Sequence, residues 1–211
     1  MPSSPPPAAP GLPQPVQLVQ LTRPDSVPPW LAAQLTDCWA AVVNAGGAVI
    51  APGLPMPPVG PADVAPVVER LVRGLDPVRS RLLVARSGGT IAGWLVLHHD
   101  PHPLIAHCGV VNHVQTHPRF RGRRIGTALM TGVAGIARDE MGLERLQLSA
   151  RSGCGLEDFY RRLGWEEVGR WPGALRVAPG DDRDDVLMSL ALRTLRTLRT
   201  PNPLNLPRPP S

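Results

Sequence analysis

Lysine is absent from this 211-residue chain: all 22 of its Lys and Arg positions are arginine. Set beside 27 prolines and 21 glycines, arginine-only basicity reads as the codon usage of a GC-rich genome. The formal charge of +5 is therefore not taken as a nucleic-acid footprint. Aromatics are scarce, with two Phe, one Tyr and five Trp, too few for the stacking platforms that hold single strands. Nor is there a helix-turn-helix pattern, which leaves nucleic-acid binding the weakest of the functional classes. The three cysteines, Cys38, Cys108 and Cys154, are odd in number and show no CxxC spacing. That argues against a disulfide framework or a zinc knuckle and fits a reducing compartment. No apolar run approaches the roughly 18 residues that span a bilayer. The first residues also lack the basic and apolar regions of a signal peptide. The expectation is a soluble, cytoplasmic protein with no membrane partner.

What the chain does have is a hydrophobic fraction of 43%, enough for a packed core. Proline marks its edges: ten of the 27 fall in residues 1–29 and five in 201–211. Residues 1–15 read as a disordered polyproline-like lead. Residues 194–211 read as a flexible Arg/Pro-rich tail that ends a threefold Leu-Arg-Thr repeat, whose period of three matches neither a helical nor a strand face. Residues 16–193 form the working domain. Within it, hydrophobic period and turn chemistry predict strands at 16–21, 81–86, 90–98, 105–116, 145–150, 166–170 and 186–192. Helices are expected at 28–44, 62–75, 125–141 and 156–163. Trp30, Leu31, Leu35, Trp39, Val42 and Val43 give the first helix its apolar spacing. This order implies an α/β or α+β sheet with helices packed on it.

The most informative stretch runs from Val114 to Met130. A strand ends at Thr116, Pro118 turns the chain, and Arg121-Gly122-Arg123-Arg124-Ile125-Gly126-Thr127 feeds a helix. Such a junction aims free N–H groups and the positive end of the helix dipole at one point, and its arginines add charge. A phosphate-bearing ligand suits it, although it is neither a Walker A loop nor a GxGxxG turn. The same geometry also serves as a basic capped turn with no ligand.

These residues resemble the Arg/Gln-x-x-Gly-x-Gly/Ala signature of the GNAT superfamily of acetyl-CoA-dependent N-acetyltransferases, with Arg124 where glycine is usual. Leu156-Glu157-Asp158-Phe159-Tyr160-Arg161-Arg162-Leu163-Gly164-Trp165 resembles a second family segment. The stretch from Val168 to Arg176 with Pro179-Gly180-Asp181 resembles the hairpin of small-molecule acetyltransferases akin to the tabtoxin-resistance type. The resemblance implies a single-domain GNAT-like fold: a mixed, mostly antiparallel seven-stranded sheet flanked by about four helices. It implies acetyl-CoA as co-substrate, its pyrophosphate on Arg121 to Thr127 and its pantetheine arm along Val114 and Thr116. It also implies Tyr160, the sole tyrosine, as general acid to the leaving thiolate; the alternative is a packed tyrosine. The family's asparagine before this tyrosine is missing from Arg151-Ser152-Gly153-Cys154-Gly155.

All six histidines, 98, 99, 102, 107, 113 and 117, lie within 20 residues. Their spacing fits no metal-ligand pattern, and none is expected to hold a metal. Imidazole titrates near 6.5, about right for taking a proton from an attacking amine. His113 is the candidate base, because the family's usual acidic position on this strand aligns with Val110. A water held by Asn112, or no base, are the alternatives. Trp94, Asn112 and Trp171 are expected around the acceptor, a small primary amine. Two rival readings stay open: a non-catalytic acyl-CoA-binding regulatory module, and a nucleic-acid binder using Arg119 to Arg124 and the Leu-Arg-Thr tail. Monomer or homodimer is not decided by the sequence.

Overall fold

The computed structural model describes residues 15–47 and 50–192. The expected proline-rich lead and nearly all of the Leu-Arg-Thr tail lie outside the described residues. The element order is β1 (Gln17–Leu21), α1 (Pro29–Asn44), α2 (Pro61–Arg73), β2 (Ser80–Ser87), β3 (Thr90–His99), β4 (Cys108–Thr116), α3 (Ile125–Asp139), β5 (Arg145–Arg151), α4 (Leu156–Arg161), β6 (Glu166–Ala178) and β7 (Asp181–Ala191). The strands form one seven-stranded sheet in the order β1-β2-β3-β4-β5-β7-β6. Every pairing is antiparallel except β4 with β5.

β2 and β3 read as near-continuous apolar runs because both of their faces are covered. Neighbours along each strand point to opposite sides. Leu83, Leu95 and Leu97 meet Leu129 and Val133 of α3, with Val186 of β7 in the same core. Leu82, Val84 and Val96 meet Leu35 and Trp39 of α1 and Val64 of α2. Prolines open both of the latter helices, where a missing N–H costs nothing. Asp63 caps α2 by accepting from the Gly60 N–H at 2.8 Å. Trp30, expected on the buried stripe of α1, is instead 49% exposed, with the Arg86 guanidinium 4.9 Å from its ring centroid.

Two strand boundaries differ from expectation. β4 begins at Cys108 rather than 105, because 102–108 closes into turns through Ile105 N–H to His102 O and Cys108 N–H to Ile105 O, both 2.9 Å. β6 and β7 are much longer than the short runs expected and meet across Pro179-Gly180. Their acidic, Gly/Pro-interrupted sequence has poor strand propensity. Cross-strand pairs offset it: Arg176 to Asp182 at 2.7 Å and Arg170 to Asp184 at 2.9 Å.

The feature that makes a site is in β4. Trp94 pairs with Gln115, but Val96 pairs with Asn112, so β4 carries one residue too many and bulges. His113 sits in the bulge with φ +55°. A bulge bends and overtwists its strand. β4 and β5 accordingly pair only over Cys108–Val110 and Arg145–Gln147, then part.

Candidate active site

The parted strands frame a cleft of about 850 Å³. Its lining comes from both faces of the sheet. Phe120, Ile125, Phe159 and Tyr160 belong to the α3/α4 side; Val42 of α1, with Gly46 and Gly47 just after that helix, lies on the other side. Past Val110, the edge of β4 facing β5 has no strand partner among the described residues, and Asn112, Val114 and Thr116 line the cleft there.

One mouth is built for an anion. Gly122 has φ +76° and Arg124, which precedes α3, has φ +58°; these left-handed residues fold the loop back over the first turn of the helix. Among the described residues, no backbone bond takes up the N–H groups of Gly122, Arg124, Ile125, Gly126 or Thr127. All five residues line the cleft, as does Arg121. Free N–H groups and the helix dipole face this mouth, and Arg121 and Arg124 line it. Gly122 leaves its Cβ direction open, whereas a Cβ on Gly126 would lie 3.1 Å from Phe159 Cζ. Gly126 therefore serves helix packing as much as ligand approach. Arg123 does not line the cleft; its guanidinium lies 5.5 Å from the Phe120 ring centroid.

Tyr160 stands in the cleft wall with its ring packed on Phe159 at 5.1 Å and Trp165 at 6.0 Å. Burial pushes its phenol pKa well above the usual value, so it stays protonated at any working pH. His113 is turned by the bulge toward α1, its ring 5.0 Å from Trp39 and 5.7 Å from Trp94. Burial, with a smaller contribution from nearby His98, lowers its pKa to about 4. Its imidazole is neutral near pH 7, and among the described residues no protein group bonds to its ring.

Other expected residues are placed elsewhere. Trp94 is 1% exposed and lies beneath His113 in the core rather than facing an acceptor. Trp171 is 59% exposed on β6, outside the cleft lining. Val110 lines a separate, smaller hollow with His98, His99 and Cys108. Three of the other histidines make local bonds: His117 Nδ1 accepts from the Arg119 N–H at 3.1 Å, His102 Nδ1 accepts from the Leu104 N–H at 3.3 Å, and His99 Nε2 lies 2.9 Å from the Ala106 carbonyl. No group of three or more His, Cys, Asp or Glu that could hold a metal occurs among the described residues.

Among the lining residues that sequence reasoning did not name for the site are Arg151, Cys154 and Asp185. Arg151 ends β5 and donates to the Gly46 carbonyl at 2.7 Å, tying β5 to the end of α1, and to Cys154 Sγ at 3.2 Å. Asp185 lies on β7. The register Arg151 to Asp185 puts these two side chains on one face, but it depends on a strand pairing that no local motif signals.

The acetyltransferase (GNAT) family model matches residues 60–165, half of the chain, from the start of α2 to the end of α4. The chain belongs to the GNAT acetyltransferase family. It is thus an acyltransferase, and the splayed sheet is the family's fold. Solved structures agree on that fold. A GCN5-related N-acetyltransferase from Kribbella flavida superposes with a TM-score of 0.67 at 18% identity, covering 84% of this chain and 98% of its own. A ribosomal-protein-alanine N-acetyltransferase from Brucella melitensis gives 0.62 at 20% identity, covering 83% and 99%. The YncA acetyltransferase of Salmonella typhimurium, solved with its cofactor acetyl-CoA, gives 0.61 at 16% identity, covering 86% and 95%. No curated protein matches the sequence significantly. No helix among the described residues is long and apolar enough to cross a membrane.

Proposed function

We propose that this GNAT enzyme transfers the acetyl group of acetyl-CoA to a primary amine of a small molecule, by direct attack within a ternary complex. The observation that carries the reading is the cleft through the split sheet, with five free N–H groups and two arginines at one mouth and a protonated tyrosine in its wall. The residues fit the co-substrate. The amides of Gly122 and Arg124 to Thr127, with Arg121 and Arg124, complement a pyrophosphate. The unpartnered edge of β4 at Val114 and Thr116 offers backbone groups to an amide-bearing arm. YncA, described with acetyl-CoA on the same fold, supports the assignment.

Acetyl-CoA supplies the activated acetyl thioester, and this chain's residues do the rest. Holding both reactants in one walled cleft supplies proximity. Tyr160 keeps its proton and donates it toward the departing sulfur as charge develops there. His113 titrates too low to pull a proton from an ammonium, so it acts as a neutral hydrogen-bond acceptor that orients the amine. The nucleophile is the free-base fraction of the acceptor itself. Val42, Gly46 and Gly47 line the cleft on the α1 side, away from the anion-binding mouth, where the acceptor enters.

Isothermal titration with acetyl-CoA tests the reading, with Gly122→Asp as the control. The substitution has space for its Cβ, aspartate is among the side chains that tolerate the left-handed φ of +76° at modest strain, and it sets a carboxylate against the phosphates. Micromolar binding by the parent, weakened about a hundredfold in a still-folded Gly122→Asp, is the expected result. No binding at millimolar ligand would overturn the assignment.

A further inference from the structure

Four carboxylates crowd the start of β7, and three of them are spoken for. Asp181 pairs with Arg183, Asp182 with Arg176, and Asp184 with Arg170. Asp184 also accepts from the Gly173 N–H at 3.0 Å. Asp185 differs. Among the described residues its carboxylate makes no hydrogen bond and no ion pair, and it is the only acidic residue lining the cleft. Its neighbour across the β5–β7 ladder, Arg151, stands on the same face and is the obvious partner. That guanidinium is turned away instead, held by the Gly46 carbonyl and by Cys154 Sγ. The arginine is used as a tie across the cleft, and the carboxylate is left free.

The position of Asp185 along the sheet adds to this. Val186 and Met188 point into the α3/α4 core, so Asp185 points to the other face, the side of α1. Its neighbour across the β6–β7 ladder is Trp171, a 59% exposed aromatic on that same face. A carboxylate beside an indole is a cation site, through direct charge pairing and through the negative face of the ring. The other charged side chains lining the cleft, Arg121, Arg124 and Arg151, are positive. One anionic point in an otherwise positive cleft sorts its ligands: phosphates to the α3 mouth, a cation to β7.

We propose that Asp185 is the specificity residue of the acceptor site, the counter-charge that draws in the acceptor's ammonium group, which then sheds its proton to solvent and attacks as the free base; Trp171, just outside the cleft lining, flanks Asp185 across the ladder. The acceptor is thereby a cationic amine without a carboxylate next to its nitrogen, because such a carboxylate would face Asp185. The inference rests on the acetyltransferase reading above and deepens it.

Matched pairs of amines that differ only by that carboxylate test it: agmatine with arginine, and tyramine with tyrosine. Acetyl-CoA-dependent acetylation is followed by thiol release, with acetyl-CoA affinity titrated separately. The parent enzyme is expected to prefer the decarboxylated member of a pair by about tenfold or more in kcat/KM. Asp185→Asn raises the KM of that amine about tenfold and abolishes the preference, while the Kd for acetyl-CoA is unchanged. Asp185→Glu restores most of the preference. Equal use of both members overturns the proposal, as does a preference that survives in Asp185→Asn. Failure of every cation to react in a protein that binds acetyl-CoA also overturns it. A protein that does not bind acetyl-CoA at all would instead bring down the acetyltransferase reading on which it rests.

Discussion

At the scale of single residues, His113 shows how position sets chemistry. The bulge gives it a left-handed backbone that Asn tolerates better than most side chains, so His113→Asn removes the imidazole with little backbone strain. Burial favours the neutral ring, which moves its pKa from about 6.5 in the unfolded chain to about 4 in the fold. Between those values the unfolded state binds more protons. The stabilisation is therefore complete above pH 6.5 and is lost as pH falls toward 4, by at most about 3 kcal/mol. Chemical denaturation from pH 7 to 4.5 should show stability falling more steeply in the parent than in His113→Asn. Equal slopes would contradict the burial argument. The pH profile of kcat/KM should follow the acceptor's own ammonium titration and show no bend near 6.5.

At the scale of elements, the close approach of β3 to α3 fixes where the anion-binding turn sits. Gly93 makes that approach possible. A Cβ there would fall on the Gln115 carbonyl oxygen and lie 2.9 Å from Ile125 Cγ2 and 3.2 Å from Leu129 Cδ1. The first of these is backbone in the bulged strand, and Ile125 opens α3. Gly93→Ala should cost about 1–3 kcal/mol in urea unfolding and also weaken acetyl-CoA binding, since strain there displaces the turn. The β6–β7 ribbon works differently. Its arginine–aspartate ladder compensates for weak strand formers, and it leaves Asp185 out.

At the scale of the molecule, two cores share one sheet. Trp39 belongs to the core under α1 and α2, Leu129 to the core under α3, and both are fully buried. Leu82 and Leu83 face opposite cores from adjacent positions of β2, so neither core can open without disturbing the sheet that serves the other. Trp39→Ala and Leu129→Ala should each cost about 3–5 kcal/mol and lower the midpoint of one shared transition in calorimetry. Two separable transitions would mean that the faces fold independently.

The sequence by itself determined the order of strands and helices, the apolar stripes that face the sheet, and the Gly/Arg turn ahead of α3. Each is written in a short window through hydrophobic period and turn residues, and the same windows carry the family resemblance. Those windows name Tyr160, Thr116 and Gly122, residues that line the cleft. They could not place Trp94, which looks like a pocket aromatic but lies beneath His113, nor see Arg151 and Asp185 as neighbours. Those facts depend on a one-residue bulge in β4 and on the pairing of β5 with β7, contacts between segments tens of residues apart. Only the tertiary structure decided them, because register between distant strands is set by which faces the whole sheet can bury at once.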